Sequence, residues 1–325
     1  MRVAVVQGGP SSEASVSRAS AAAVAGALEE AGHAPSLLEL DAALPSRLLG
    51  HDVGFPLVHG ALGEDGCLQG LCEILELPYV GSGVLASALA MDKIAAKVAF
   101  RGAGLPVARE NIVRRGDVGA ASQVRAALGP AVAVKPSAAG SAIGVRLVRP
   151  GAPTSALEDA IAEALRYDDV ALCEELVVGR EVTCGVTDAT TLFAGPRALP
   201  PTEILAKRGD FYDFSSKYAP SGSEHVCPAE LPAGCAARVQ ELALAAHRAL
   251  GCRDLSRADF IVGDTPDRVV LLEVNTLPGM TATSLFPEAM ARAGVAFPAM
   301  CDALVRAAEL RGGARRRVPV PELPR

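Results

Sequence analysis

The sequence has no CxxC pair, no apolar run long enough for a bilayer, no excess of basic residues, and no Walker A, GxSxG or HExxH motif. Each absence removes a class of function. Without CxxC spacing, the eight cysteines at 67, 72, 173, 184, 227, 235, 252 and 301 form neither a zinc framework nor a disulfide scaffold. They read as buried thiols acting as small hydrophobes. Asp92, Lys93 and Lys97 interrupt the longest Ala-rich segment, so nothing nears the roughly 18 residues of a membrane span. The run Val3-Ala4-Val5-Val6 is too short for the apolar core of an export signal, and a cytoplasmic location is expected. A net charge of −6, from 31 basic and 37 acidic residues, has the wrong sign for a protein that neutralises phosphates along nucleic acid.

What is present is a chain of 325 residues, 50% hydrophobic and 21% charged, a composition that builds two or three folded domains. A strand at 2–6, the turn Gly8-Gly9-Pro10 and an Ala- and Val-rich helix ending at Gly32 form a first strand–loop–helix unit. Strands at 34–40 and 53–58, a helix at 68–75 and a strand at 78–80 continue the alternation, which predicts a parallel sheet flanked by helices. This first domain is expected to close near residue 89. A helical pattern follows from Met91 to Gly102. Strands at 107–113, 131–135, 145–148 and 170–174, with helices at 118–128 and 154–167, make an α+β segment ending near Gly179. The last portion carries a strand at 181–186, an irregular stretch from Pro200 to Pro228, a helix at 233–250 and strands at 256–262 and 269–275. Beyond Arg311 the Gly-, Arg- and Pro-rich tail reads as a solvated, disordered end. No repeat is apparent.

Chemistry concentrates at the final strand pair. Arg257 and Asp259 are two apart, as are Glu273 and Asn275, and alternate strand residues share a face. Two carboxylates and an amide oxygen are hard ligands suited to magnesium, and the guanidinium beside them is expected to be free to stabilise developing negative charge. Ala258, Phe260, Leu272 and Val274 form the apolar reverse face, so a solvated outer strand face accounts for the same pattern. Lys135 ends a strand and opens a small-residue loop through Gly144, a candidate phosphate site, with Lys93 a second. His59-Gly60-Ala61-Leu62-Gly63-Glu64-Asp65-Gly66 follows a buried strand, where three glycines let backbone wrap a small ligand or simply turn. Glu13 suits either a ligand or its own helix terminus. Gly81-Ser82-Gly83-Val84-Leu85-Ala86 fits a GxGxxA dinucleotide fingerprint, but Arg101 and Gly102 stand where the acidic partner belongs.

In order along the chain these pieces resemble the D-alanine:D-alanine ligases of the ATP-grasp superfamily, over roughly residues 2–310. The resemblance rests on Gly8-Gly9-Pro10-Ser11-Ser12-Glu13 with Val16-Ser17, on the 59–66 loop with Leu68-Gln69-Gly70, and on Gly81-Ser82-Gly83 leading into Met91-Asp92-Lys93. It continues through Val134-Lys135-Pro136-Ser137, Phe211-Tyr212-Asp213-Phe214-Ser215-Ser216-Lys217-Tyr218, Arg257-Ala258-Asp259 and Glu273-Val274-Asn275-Thr276-Leu277-Pro278-Gly279-Met280-Thr281. It implies an α/β chain, α+β in its ATP-grasp part, of three domains: a Rossmann-like parallel-sheet domain at 1–89, a central subdomain at 90–178 and a C-terminal subdomain at 179–312, with a tail at 313–325. ATP would lie between the central and C-terminal parts, phosphorylating one D-alanine carboxylate so that the amine of a second attacks the acyl phosphate.

By the same resemblance Lys93, Lys135 and Lys217 bind phosphates, Glu174, Glu175, Val177 and Glu181 frame adenine and ribose, and Phe211 packs on the nucleotide. Asp259, Glu273 and Asn275 become ligands of magnesium, with manganese an alternative and two ions expected. Glu13 holds the ammonium of the first D-alanine near Val16 and His59. Arg257 and the Gly279 amide stabilise the oxyanion, and Ser284 and Leu285 receive the second D-alanine. Ser141 and Tyr218 join Glu13 in a hydrogen-bonded set that closes a lid, and Tyr at 218 goes with dipeptide rather than D-alanyl-D-lactate synthesis. Ala138-Ala139, Ala142 and Ala14-Ser15 depart from the family pattern, which bears on the lid, ATP affinity and first-site recognition. A homodimer serving peptidoglycan precursor synthesis is implied. The alternatives are an ATP-grasp ligase joining other D-amino or hydroxy acids, and a non-catalytic ATP-binding regulator.

Overall fold

The computed structural model describes residues 1–189, 191–206, 223–281 and 283–312. Its first strand, β1 (Arg2–Gln7), buries Val3, Ala4, Val5 and Val6 in succession, the signature of a parallel strand covered on both faces. Helix α1 (Ala14–Glu30) crosses back to β2 (Ala34–Glu39); α2 (Leu44–Leu48) leads to β3 (Val53–Pro56). The sheet is parallel in the order β2-β1-β3. The segment expected as a strand at 78–80 makes only an isolated parallel bridge, Tyr79 to Gly54.

Helices α3 (Cys67–Ile74), α4 (Val84–Met91) and α5 (Lys93–Gly102) follow. The continuous helix expected from Met91 is cut at Asp92, whose side chain accepts from the Ile94 and Ala95 amides at 2.9 and 3.0 Å. A carboxylate that satisfies the first amide groups of a new helix competes with continuing the old one. Asp92 also accepts from Ser137 Oγ at 3.2 Å, so the break is tied to the loop after residue 136.

A second, four-stranded antiparallel sheet comprises β4 (Glu110–Arg114), β5 (Val132–Pro136), β6 (Arg146–Val148) and β7 (Val170–Glu175), in the order β4-β7-β5-β6. Helices α6 (Ala120–Leu128) and α7 (Thr154–Ala164) cover it around Val124, Leu128, Leu157 and Ile161. The third sheet runs β11-β10-β8-β12-β13, with β9 beside β8. Its strands are β8 (Arg180–Thr187), β9 (Arg197–Ala198), β10 (Thr202–Ala206), β11 (Ser223–Val226), β12 (Leu255–Val262) and β13 (Val269–Asn275), packed under α8 (Cys235–Leu250). The stretch expected to be irregular between 200 and 228 therefore contains two paired strands. Alternation is weak in Thr202-Glu203-Ile204-Leu205-Ala206, where Glu203 is buried because Arg180 grips it in a bidentate pair.

A bulge between Asp259 and Phe260 shifts the β12–β13 register, so Leu271, not Leu272, joins Val274, Ala258 and Phe260 on the buried face. Seven cysteines are buried, and Cys67 is exposed. Two helices that the sequence pattern left unread, α9 (Leu285–Arg292) and α10 (Phe297–Arg311), close the molecule. Their Phe286, Met290, Met300, Leu304 and Val305 share one core with Leu28 of α1 and with Val3, Val5 and Phe55 of the first sheet, so residues near both ends of the described chain build it together. Among the described residues no helix is long and apolar enough to cross a membrane.

Candidate active site

The paired strands β12 and β13 set one wall. Arg257 faces Asn275 and Asp259 faces Glu273 in register, which brings all four to one surface. Arg257 is not free there: its Nε and Nη2 donate to the two oxygens of Asp259 at 2.9 and 2.8 Å. Same-face neighbours two residues apart on a strand are within reach of a planar guanidinium fork, which explains the pairing. Thr183 Oγ1 on β8 donates to Asp259 Oδ1 at 2.6 Å and orients it further. Lys93 approaches Glu273 at 3.4 Å and donates to the Ala139 carbonyl at 2.7 Å, while Asn275 Oδ1 accepts from the Leu277 amide. Among the described residues no three His, Cys, Asp or Glu side chains cluster as a metal site. A cation here would therefore draw on two carboxylates and an amide oxygen, a sparse hard-oxygen set that fits magnesium, which keeps its other positions for water and phosphate.

The second wall lies beside α5 and the second sheet. Lys97, only 1% exposed, pairs with Glu174, with Glu110 at 2.8 Å and with the Ala108 carbonyl at 2.8 Å. Lys135 meets the other Glu174 oxygen at 2.5 Å. Burial works against both charged forms, yet the mutual attraction outweighs it: the Lys135 pKa is raised and the Glu174 pKa lowered. Glu175 is held by Arg109 at 2.7 Å, Val177 is half-buried, and Glu181 lies on β8 opposite Ile261. Lys97 escaped the sequence reading. Its signal was a lysine on the helix face that buries Ala96 and Phe100, where a cation must find partners.

The third wall comes from the N-terminal loops. Glu13 precedes α1 but makes no side-chain cap there; Ser141 Oγ donates to its carboxylate instead. Ser141 and Ala142 both hold left-handed backbone, φ 52° and 55°, a strained pair in the loop that reaches Glu13. Val16, half-buried, is one turn along from Glu13. His59 is 5% exposed with no hydrogen-bond partner for Nε2. Burial lowers its pKa, while the nearby Glu13 and Arg257 charges pull in opposite directions.

Glu64, part of the 59–66 motif, has no role assigned to it by sequence. The Gly60 amide donates to it at 2.5 Å, and enclosure of its carboxyl pushes the pKa up to about 8. Gly279 lies under Ser284: a Cβ there would stand 3.0 Å from Ser284 Oγ, which accepts from the Thr281 amide at 3.0 Å. Leu285, buried, opens α9 beside it. Gly81, from the dinucleotide-like motif, spends its amide on Asp254. Phe211, Lys217 and Tyr218 lie outside the described residues.

The family described as D-ala D-ala ligase C-terminus matches residues 99–306, and that described as D-ala D-ala ligase N-terminus matches 41–82. A D-alanine--D-alanine ligase of Acidiphilium cryptum is 44% identical over 314 residues, covering 95% of this chain and 99% of that protein. One of Methylobacterium radiotolerans is 45% identical over 315 residues, covering 95% and 98%. A crystal structure of D-alanine--D-alanine ligase from Bacillus anthracis superposes with a TM-score of 0.83 at 30% identity, covering 96% of this chain and 98% of that one. The same enzyme complexed with ATP gives 0.79 at 28% identity, with the same coverage.

Proposed function

This chain belongs to the D-ala D-ala ligase family, and from that premise we propose that it joins two D-alanine molecules into D-alanyl-D-alanine at the expense of ATP. The observation that carries the reading is one buried, unpartnered imidazole nitrogen, Nε2 of His59, in a ring on which charges of the first and third walls both act. The charges of Glu13 and Arg257 both act on the His59 ring, and Glu13 is itself held by Ser141. A buried polar atom left without a partner is costly, and a bound substrate group would supply one.

In this reading Glu13 takes the ammonium of the first D-alanine, with His59 and Val16 lining its side. The γ-phosphoryl group of ATP passes to the substrate carboxylate, releasing ADP. The amine of the second D-alanine, seated at Ser284 and Leu285, attacks the acyl carbon; phosphate leaves and the peptide bond forms. Arg257 and the Gly279 amide stabilise the oxyanion of the tetrahedral intermediate. Lys93 and Lys135 carry nucleotide phosphates together with Lys217; Glu174, Glu175, Val177, Glu181 and Phe211 surround the base and ribose. Asp259, Glu273 and Asn275 would hold magnesium or manganese, whose charge offsets that of the phosphates. The Ser141 loop and Tyr218 exclude water, which an acyl phosphate requires.

We propose the division into 1–89, 90–178 and 179–312, ATP between the latter two, a homodimer, a cytoplasmic setting and a role in peptidoglycan precursor synthesis. The test is phosphate release by the purified protein with magnesium and ATP, offering D-alanine, L-alanine, D-serine, D-lactate or nothing, with products identified by mass. D-alanine-dependent release with the dipeptide formed supports the reading. Release with another acid moves the substrate but keeps the chemistry. ATP binding without release under any condition makes the chain a nucleotide-binding regulator.

A further inference from the structure

Asp254 is 2% exposed and holds a left-handed backbone, φ 63°, a conformation that favours glycine. Its carboxylate accepts from the Gly81 amide at 2.7 Å and from both terminal nitrogens of Arg311, at 2.7 and 2.8 Å. Arg311 in turn donates to the Tyr79 carbonyl at 2.8 Å, and Arg253 donates to the Gly81 carbonyl at 2.8 Å with its guanidinium 4.8 Å from the Tyr79 ring centre. Three distant stretches, 79–81, 253–254 and the end of α10, thus meet at one buried carboxylate.

The placement matters more than the strength. Asp254 precedes the first residue of β12 and lies three residues before Arg257. Tyr79 bridges Gly54 on β3, flanked by hydrogen bonds from the Gly54 amide to the Pro78 carbonyl at 2.7 Å and from the Val80 amide to the Gly54 carbonyl at 2.9 Å. The chain leaving β3 carries His59. A path of short chain segments joined by one charge-assisted hydrogen bond and one strand bridge therefore runs from Arg257 through Asp254, Gly81 and Gly54 to His59. The nucleotide wall at Lys97, Lys135 and Glu174 is not on that path.

We propose that Asp254 and Arg311 form a positioning strut that sets the first-substrate pocket of the N-terminal sheet against the oxyanion residue Arg257. This rests on the substrate reading above. Charged groups buried without need are costly, and a strained backbone adds to that cost, so the arrangement calls for a role that simple packing would not require.

The test uses the full chain with Asp254→Gly, Arg311→Met and the double variant. Glycine suits the backbone at 254, so the first variant removes the carboxylate without adding strain. We expect Asp254→Gly to lower kcat/KM for D-alanine about tenfold and leave KM for ATP within about twofold of wild type. Arg311→Met should lower the Tm as well, because it leaves Asp254 buried with less counter-charge. The double variant separates the roles: it should recover the Tm but not the D-alanine kcat/KM.

Recovery of both in the double variant, or a rise in KM for ATP equal to the effect on D-alanine, overturns the proposal. So does an unchanged kcat/KM in Asp254→Gly. Hydrogen exchange at the 79–81 amides, faster in Asp254→Gly than in wild type at unchanged Tm, reads the strut without catalysis; unchanged exchange counts against it. A wild-type protein inactive with D-alanine refutes the substrate reading instead, and the exchange result then decides the strut.

Discussion

The nucleotide wall and the substrate wall handle buried charge in opposite ways. At Lys97, Lys135 and Glu174 every charge has an opposite partner in contact, and attraction keeps Lys135 and Glu174 ionised against the cost of burial. At His59 and Glu64 burial prevails: the imidazole is pushed toward its neutral form, its Nε2 has no partner, and the carboxyl holds its proton up to about pH 8. The first region is charge-balanced within itself. The second is the kind of surface that a ligand with its own charges would complete.

The sharpest way to break this contrast is to remove Arg257, whose guanidinium grips both oxygens of Asp259 on the metal face. Arg257→Ala is expected to cut turnover by about 10²–10³-fold, as loss of an oxyanion donor does, with ATP affinity kept. Nucleotide titration alongside single-turnover dipeptide formation checks it; a weakened ATP complex with normal chemistry would reassign the residue.

Next in size is the charge-balanced cluster itself. Lys97→Met leaves Glu174 with Lys135 alone and Glu110 with Arg101, and should cost roughly 3 kcal/mol of stability, measurable by urea unfolding. A loss below about 0.5 kcal/mol would mean that the cluster tolerates rearrangement.

Glu64 supplies a pH test. Its folded pKa of about 8 lies above an unfolded value near 4.5, so its contribution is complete below about pH 4.5 and is lost as pH rises toward 8. Over that window Glu64→Gln should remove a slope of up to about 1.4 kcal/mol per pH unit from the stability profile. Identical slopes in the two proteins would show the carboxyl to be ionised in the fold. The smallest effect is expected on the exposed face, where Cys67→Ser should change stability by less than about 0.5 kcal/mol.

Local periodicity made much of this molecule legible. The same-face relation of Arg257, Asp259, Glu273 and Asn275 followed from a repeat of two, as did the parallel first sheet from its unbroken apolar strands. Leu272 was misplaced because a bulge is one extra residue with no mark in the alternation. Helix α10 went unread: Pro298 stands in its first turn, where proline is tolerated, but it looks like a breaker. Lys97 and Asp254 were hidden for another reason. Their partners are as distant as Glu174 and Arg311, and no window of neighbouring residues contains that information.

The shared core of β1, β3 and α10 also has a consequence for synthesis. Val3, Val5 and Phe55 are made long before Met300, Leu304 and Val305. At about 5–20 residues per second, the opening sheet must wait roughly 15–60 s on the ribosome before the helix that covers it exists. This sheet is thus finished late relative to its synthesis, and its apolar strands are what a chaperone would meet in the interval.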